Sequence, residues 1–389
     1  MSHVEHTTSL PDTGYVRARQ ALLTLPLEFG FDLRASRLAY RPNDNRRWQP
    51  LGTPEFCELR QTVIDNFAFD PGKESLFDAA AHLAYRNGFD PFCDWLDSLK
   101  WDNKKRLARW PAMYLGADDS PFTCAVGARS LIAAVRRARK PGFKFDEILT
   151  LIGDQGCGKS RAARALAKRA EWFSDQDILS LSAQQQQEAI EGVVIYELSE
   201  LGGLHRTSLE RMKAFVSRQY DRGRRAYGRF REELPRRCIF IATTNERTFL
   251  RDPTGNRRFW PVEVGQCDIA SLRRDVDQLW AEAAAEEASG ARVTLPPHLA
   301  KDALAAQSAR TQEDPWLALL QPLTGKRKGD EWRLGYAEVV AALNIATVSQ
   351  TPEFRARVDR CLFSLGWRRA IKPFKLGGKT VRGYVRLVA

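Results

Sequence analysis

The segment GDQGCGKS at 153–160 fits the spacing G-x-x-x-x-G-K-S. Each residue type in it suits phosphate. Gly153, Gly156 and Gly158 let the backbone bend until its amides face phosphate oxygens. The helix that opens here adds partial positive charge at its N-terminus. Lys159 can reach β- and γ-phosphates, and Ser160 offers a hydroxyl ligand to Mg²⁺. Cys157 and Arg161 complete the expected cradle. ATP and Mg²⁺ are the predicted ligands.

Hydrolysis needs acids beside the metal. The apolar run VVIYELSE ends on Glu197, with Glu200 three residues later. One carboxylate can hold the metal shell and the other can orient or deprotonate water. Leu198 and Ser199 separate the two, so the spacing does not divide the roles; Glu197 and Ser160 are the expected metal ligands. A third run, CIFIATTN, ends on Asn245, an amide able to polarise water or touch the γ-phosphate, with Thr243 and Thr244 just before it. Arg257 and Arg258 follow. A planar, always-charged guanidinium can stabilise charge on a transferring phosphoryl group, and supplied by a neighbouring subunit it makes hydrolysis depend on an interface. Which of the two does so stays open.

These residues must be held by strands and helices. EILTLIG, VVIYELSEL and RCIFIATTN read as buried strands, and KSRAARALAKRA and TSLERMKAFVSRQY as helices. Alternation of this kind predicts an α/β fold with a parallel sheet. Upstream, 120–140 predicts a helix with Ser120 as N-cap and Pro121 at its first position. Residues 270–290 predict a further helix. QQQQ at 184–187 reads as an exposed helix face. The expected units are a helical or mixed N-terminal domain (1–115, an oligomer collar or DNA contact), the nucleotide-binding core (116–290), a helical linker (291–325) and a basic C-terminal unit (326–389).

At 389 residues and 43% hydrophobic, the chain has length for two or three domains with cores. Its net charge of +12 is concentrated: 14 Lys/Arg against 5 Asp/Glu after residue 325, and 8 against 3 across 218–237. Local basic patches of this sort favour nucleic acid. Seven cysteines without a C-x-x-C and five scattered histidines argue against a disulfide framework or zinc site. With no secretory pattern and no apolar run of membrane-spanning length, a soluble protein of a bacterial host cytoplasm is expected.

The blocks DWLDSLKWDNKKRLARWPAMYLGA, PGFKFDEILTLIGDQGCGKS, VVIYELSEL, MKAFVSRQYDRGRRAYGR and PRRCIFIATTNERTFLRDPTGNRRFWPV occur in this order over roughly 90–265. Together they resemble the virulence-associated protein E family of phage and mobile elements, itself similar to superfamily 3 helicases of the AAA+ type. The resemblance implies a P-loop core in a hexameric ring that couples ATP hydrolysis to movement along single-stranded DNA. It implies Walker A roles for Lys159 and Ser160, the Walker B place for Glu197 and Glu200, sensor 1 for Asn245, and an arginine finger at Arg257 or Arg258. Some relatives carry a primase block; none is evident here, and the resemblance leaves primase or replisome partners in trans as an open expectation.

In such rings a hairpin between Walker B and sensor 1 enters the channel. SRQYDRGRRAYGRFRE fills that interval, with Lys213, Arg222, Arg224 and Arg225 as phosphate contacts and Tyr227 as a base stacker. The tail reads helix, helix, then a hairpin turning at Gly377 and Gly378, the order of a small winged-helix unit. Its basic wing (Lys372, Lys375, Lys379, Arg382) is placed to touch duplex DNA. Two other functions use the same residues: an initiator that binds ATP only to assemble on DNA, and a regulatory or defence switch with a protein target.

Overall fold

A computed structural model describes residues 13–201, 206–224, 231–250, 255–312, 314–344 and 351–387. By packing it divides into one unit that includes 13–249 and 255–310, and a second formed by 311–387 with Leu250.

The first unit begins with α1 (Gly14–Thr24), capped by the Thr13 hydroxyl. Strands β1 (Leu27–Asp32), β2 (Arg37–Pro42) and β3 (Gln49–Pro50) follow, then α2 (Thr53–Phe67), α3 (Lys73–Tyr85) and β4 (Gly88–Phe89). The sheet order is β3-β2-β1-β4. Ala18, Leu22, Phe29, Phe31, Val63 and Leu76 close a core between this sheet and the helices. Of the two forms expected for the N-terminal region, helical or mixed, it takes the mixed one: it carries its own sheet. The short, Arg-rich β2 is only partly buried, and its composition hides it.

Next come α4 (Pro91–Ser98), α5 (Trp110–Leu115) and α6 (Pro121–Arg139). Ser120 caps α6 through its hydroxyl, with Pro121 at the first turn. Phe92, Leu96, Trp110 and Tyr114 belong to the same core as α6 and the central sheet, so packing is continuous across residue 115.

That central sheet is built by β5 (Ile148–Ile152), β6 (Phe173–Ser174), β7 (Ile195–Leu198), β10 (Ile239–Thr244) and β11 (Phe259–Glu263), in the order β11-β5-β10-β7-β6. All four pairings are parallel. Helix α7 (Lys159–Leu166) follows β5, and α8 (Ala183–Ile190) follows β6. Helix α9 (Arg206–Val216) leads into the antiparallel ribbon of β8 (Tyr220–Arg224) and β9 (Arg231–Pro235). Helices α10 (Ile269–Ala288) and α11 (Ala300–Ser308) complete the unit. Strand β11 holds the two aromatics after the arginine pair, Phe259 and Trp260, both buried. Its Pro261 is tolerated because β11 is an edge strand. The glutamine run does not lie wholly on an exposed face: Gln187 is buried.

The second unit contains α12 (Pro315–Leu320), β12 (Lys326–Lys328), β13 (Glu331–Gly335), α13 (Tyr336–Leu343), α14 (Pro352–Ser364), β14 (Arg368–Arg369), β15 (Phe374–Leu376), β16 (Lys379–Val381) and β17 (Gly383–Leu387). Leu320, Leu334, Val339, Val358, Leu362 and Trp367 form its core. Its sheet runs β12-β13-β17-β14, and β15 pairs with β16 across Gly377 and Gly378.

Candidate functional site

The C-terminal ends of β5, β7 and β10 gather the candidate residues. Gly153 follows β5 directly, and its amide donates to the Thr244 carbonyl at 3.3 Å. A methyl group here would sit 2.6 Å from the Val264 carbonyl oxygen, so only glycine fits. Gly158 has φ of 105°, a conformation that glycine adopts freely, and α7 starts directly after it. The Lys159 side chain is folded into the loop. Its ammonium donates to the carbonyls of Gly153 and Asp154 and to Asn245 Oδ1, each at 2.8 Å. Asn245 is thus tied to Lys159 from the end of β10.

Glu197 is buried at the end of β7. Its Oε1 accepts from Ser160 Oγ at 2.6 Å and from Thr243 Oγ1 at 2.7 Å. Its Oε2 is buried without a hydrogen-bond partner. A buried carboxylate oxygen left open is costly unless something occupies it. With the Ser160 hydroxyl beside it, the donor set is the hard-oxygen kind that Mg²⁺ takes. The residues therefore fit the predicted ion. Glu200 is exposed, two residues beyond β7, with φ of 56°. It does not join the Glu197 cluster, which separates the two acids in space as Leu198 and Ser199 separate them in sequence.

Around the loop, Gly156 has a φ of 82°. Cys157 is buried with its sulfur 3.7 Å from the Lys159 ammonium. Its carbonyl accepts from the Cys267 amide at 2.9 Å. Burial and the neighbouring Cys157 push the Cys267 thiol up to about 11. Arg161 is exposed on the first turn of α7.

The two arginines have different surroundings. Arg258 Nε donates to Ser217 Oγ at 2.9 Å and to Asp146 Oδ2 at 3.2 Å, so this side chain is held within its own chain. Arg257 is exposed and forms no ion pair among the described residues. Both lie on a single 3₁₀ turn, Asn256–Arg258, that feeds β11.

Of the expected ribbon contacts, Arg222 is exposed and paired with Glu233 at 2.7 Å. Only the backbone of Arg224 is described, at the end of β8, and Arg225 and Tyr227 lie outside the described residues. Lys213 needs correcting. Its side chain is 4% exposed and its ammonium meets Glu210 at 2.9 Å, one helical turn away, so it is not a surface available to DNA. In the second unit Lys372, Lys375, Lys379 and Arg382 are all exposed on or beside the β15–β16 hairpin.

Sequence reasoning missed several supports. Arg236 is fully buried and grips Asp221 with two hydrogen bonds, of 2.5 and 2.9 Å, while also donating to the Phe215 carbonyl. This fixes the ribbon base to the end of α9. Arg34 reaches Asp90 at 2.9 and 3.1 Å, and Arg237 reaches the same carboxylate at 2.8 Å. Asp90 also caps α4. Burial would raise its pKa, but the two guanidiniums outweigh burial and hold it below the usual carboxylate value. Neither motif has a sequence signal, because each joins residues from separate elements. Among the described residues no helix is long and apolar enough to cross a membrane, and no cluster of three or more His, Cys, Asp or Glu could hold a metal.

These features define a mixed α/β protein built on a parallel sheet, with a lysine, two hydroxyls and a buried carboxylate at adjoining strand ends. The chain belongs to the virulence-associated protein E-like domain family, whose domain matches residues 96–312. In fold it is similar to the apo NrS-1 C terminal region (305–718), with a TM-score of 0.53 at 16% identity, covering 97% of this chain and 100% of that one. An A form of that region gives 0.53 at 15%, again over 97% and 100%. A further A form structure gives 0.51 at 14%, over 96% and 99%. At such identity the likeness is one of fold. No curated protein matches the chain.

Proposed function

We propose that this chain is a P-loop ATPase of the AAA+ superfamily 3 type that moves along single-stranded DNA in the replication of a phage or mobile element. The observation that carries the reading is Glu197: one oxygen bound by Ser160 and Thr243, the other buried and open, beside a lysine already coordinated by three oxygens.

Ser160 Oγ and Glu197 Oε2 would hold Mg²⁺, which neutralises charge on the β- and γ-phosphates when bound. The chain's own groups do the rest. Lys159 exchanges the Gly153 and Asp154 carbonyls for phosphate oxygens. Asn245 positions water next to the γ-phosphate, and Glu200, exposed near that edge, accepts its proton. Arg257 from a neighbouring subunit stabilises the charge on the transferring group. Such a chain assembles as a ring, a hexamer on the family resemblance, with nucleotide at each boundary. The β8–β9 ribbon contacts the strand. The second unit, with helices α13 and α14 followed by a basic hairpin, fits a winged-helix contact to duplex DNA. Primase or replisome partners would act in trans.

The test is phosphate release by the full chain with ATP and Mg²⁺, with and without single-stranded DNA, together with an unwinding assay on a forked duplex. DNA-stimulated release that Lys159→Ala abolishes is expected, along with strand separation. No release in any condition would overturn the hydrolase reading. Release indifferent to DNA would overturn the translocase reading in favour of a switch.

A further inference from the structure

A cleft of about 1120 Å³ lies between the N-terminal sheet and the central core, away from the glycine-rich loop. The turn from β2 to β3 forms one wall, with β4, and α4 and the segment before β6 form the other. Flat surfaces recur in it. Trp48 stacks on Phe89 with centroids 4.6 Å apart and planes 12° apart. The Arg41 guanidinium lies over Trp48 at 4.3 Å. Opposite, Trp95 is half-buried, and Arg169 lies over Trp172 at 4.5 Å. Arg46 and Arg47 also line the cleft, exposed and without an ion pair among the described residues.

We propose that this cleft is a second nucleotide-binding surface, which holds a short stretch of single-stranded nucleic acid. Guanidinium planes laid on aromatic rings offer bases a flat, polarised face. Unpaired arginines bind phosphates through charge-assisted hydrogen bonds. The lining also includes Asp94 and Glu171. Carboxylates repel a bare polyanion but accept from base amino groups. The mixture therefore selects a nucleotide over polyphosphate. The volume exceeds the roughly 300–1,000 Å³ of ordinary small-molecule pockets, which leaves room for more than one nucleotide. A crevice with a purely structural role needs no pair of unpaired guanidiniums in its lining.

This proposal does not rest on ATP hydrolysis. It can be tested in the Lys159→Ala chain, where the glycine-rich loop is disabled. Fluorescence anisotropy with a mixed-sequence strand of about ten nucleotides is compared between that chain and one also carrying Arg46→Ala and Arg47→Ala. A roughly tenfold loss of affinity is expected, with the salt-dependence slope smaller by about 1.4 for two lost phosphate contacts. Photocrosslinks should map to peptides containing Trp48 or Trp95. Competition by a mononucleotide at equal base concentration would assign the same site to free nucleotide. Competition by polyphosphate alone would overturn the base-recognition claim. Unchanged affinity and slope, with crosslinks confined to the β8–β9 ribbon or the β15–β16 hairpin, would overturn the whole proposal. A thermal melt of the double variant matching the parent guards against misfolding.

Discussion

Arg258 and Asp146 form an ion pair at 3.2 Å between the 3₁₀ turn and the segment entering β5. The pair settles the surroundings of two adjacent arginines that sequence could not separate. Arg258 is engaged at home and Arg257 is exposed. Arg257→Ala should therefore bind ATP normally yet lose turnover by about 10³-fold, in the range for a missing transition-state arginine. Mixing it with Lys159→Ala chains should restore part of the activity, because some boundaries then pair an intact lysine with an intact arginine. Phosphate release by the mixture checks this, and no recovery at any ratio would count against action in trans. Arg258→Ala should instead lower stability by about 1–3 kcal/mol through its lost charged hydrogen bonds, read by denaturant unfolding.

Glu197→Gln keeps an acceptor for Ser160 and Thr243 but removes the charge. Unfolding should shift by no more than about 1 kcal/mol, a typical net value for one hydrogen bond. Hydrolysis should fall by about 10²-fold or more if the carboxylate supports the metal, by analogy with loss of one electrostatic stabiliser. Calorimetry with ATP should show that Mg²⁺ no longer tightens binding; a retained Mg²⁺ effect would displace Glu197 from the metal shell.

Asp90 neutralises the buried guanidinium of Arg34 and the part-buried one of Arg237. Asp90→Ala leaves Arg34 and Arg237 without it and should cost about 3–5 kcal/mol, as for breaking a buried ion pair. The pH dependence has a definite sign. The folded pKa is lowered, so the contribution is present above the unfolded carboxylate value and is lost as pH falls through the folded value. Urea unfolding from pH 7 downward should show wild type losing more stability below about pH 4 than Asp90→Asn does. Parallel curves would sink the assignment.

The ribbon separates surface charge from structural charge. Arg222→Ala should change stability by less than about 1 kcal/mol, since its pair with Glu233 is exposed. It should weaken binding to single-stranded DNA and flatten the salt dependence. Arg236→Ala should loosen the ribbon base at a cost of about 3 kcal/mol, because the buried Asp221 loses both short bonds and keeps only the more distant Arg218, at 3.6 Å. Lys213→Ala should likewise act on stability and leave the salt slope for DNA unchanged. A flattened slope in Lys213→Ala would return that residue to the DNA surface.

Much of the central sheet could be read directly from the chain. Strands β5, β7 and β10 are apolar runs ended by glycine or polar residues, and Ser120 with Pro121 announced α6. Strand β11 escaped because Pro261 reads as loop, and the two charges before Phe259 mask its start. Strand β6 is two residues long and has no periodicity to find. Lys213 reads as a surface cation in sequence because its pairing with Glu210, one turn earlier, shows only in the fold. The Glu197, Ser160 and Thr243 cluster was legible in part, since spacing names the residues but not which oxygen is left open. Arg236 with Asp221, and Asp90 with its two arginines, depend on tertiary contacts alone.

The ribbon base has a mechanical consequence. Arg258 holds Ser217, two residues past the Phe215 carbonyl that Arg236 grips, and Arg236 clamps Asp221 in the ribbon's first strand. Turn, helix end and ribbon are thus geared together by consecutive rigid links. A small rotation of the turn is passed on with little slack, and the far end of a lever sweeps further than its pivot.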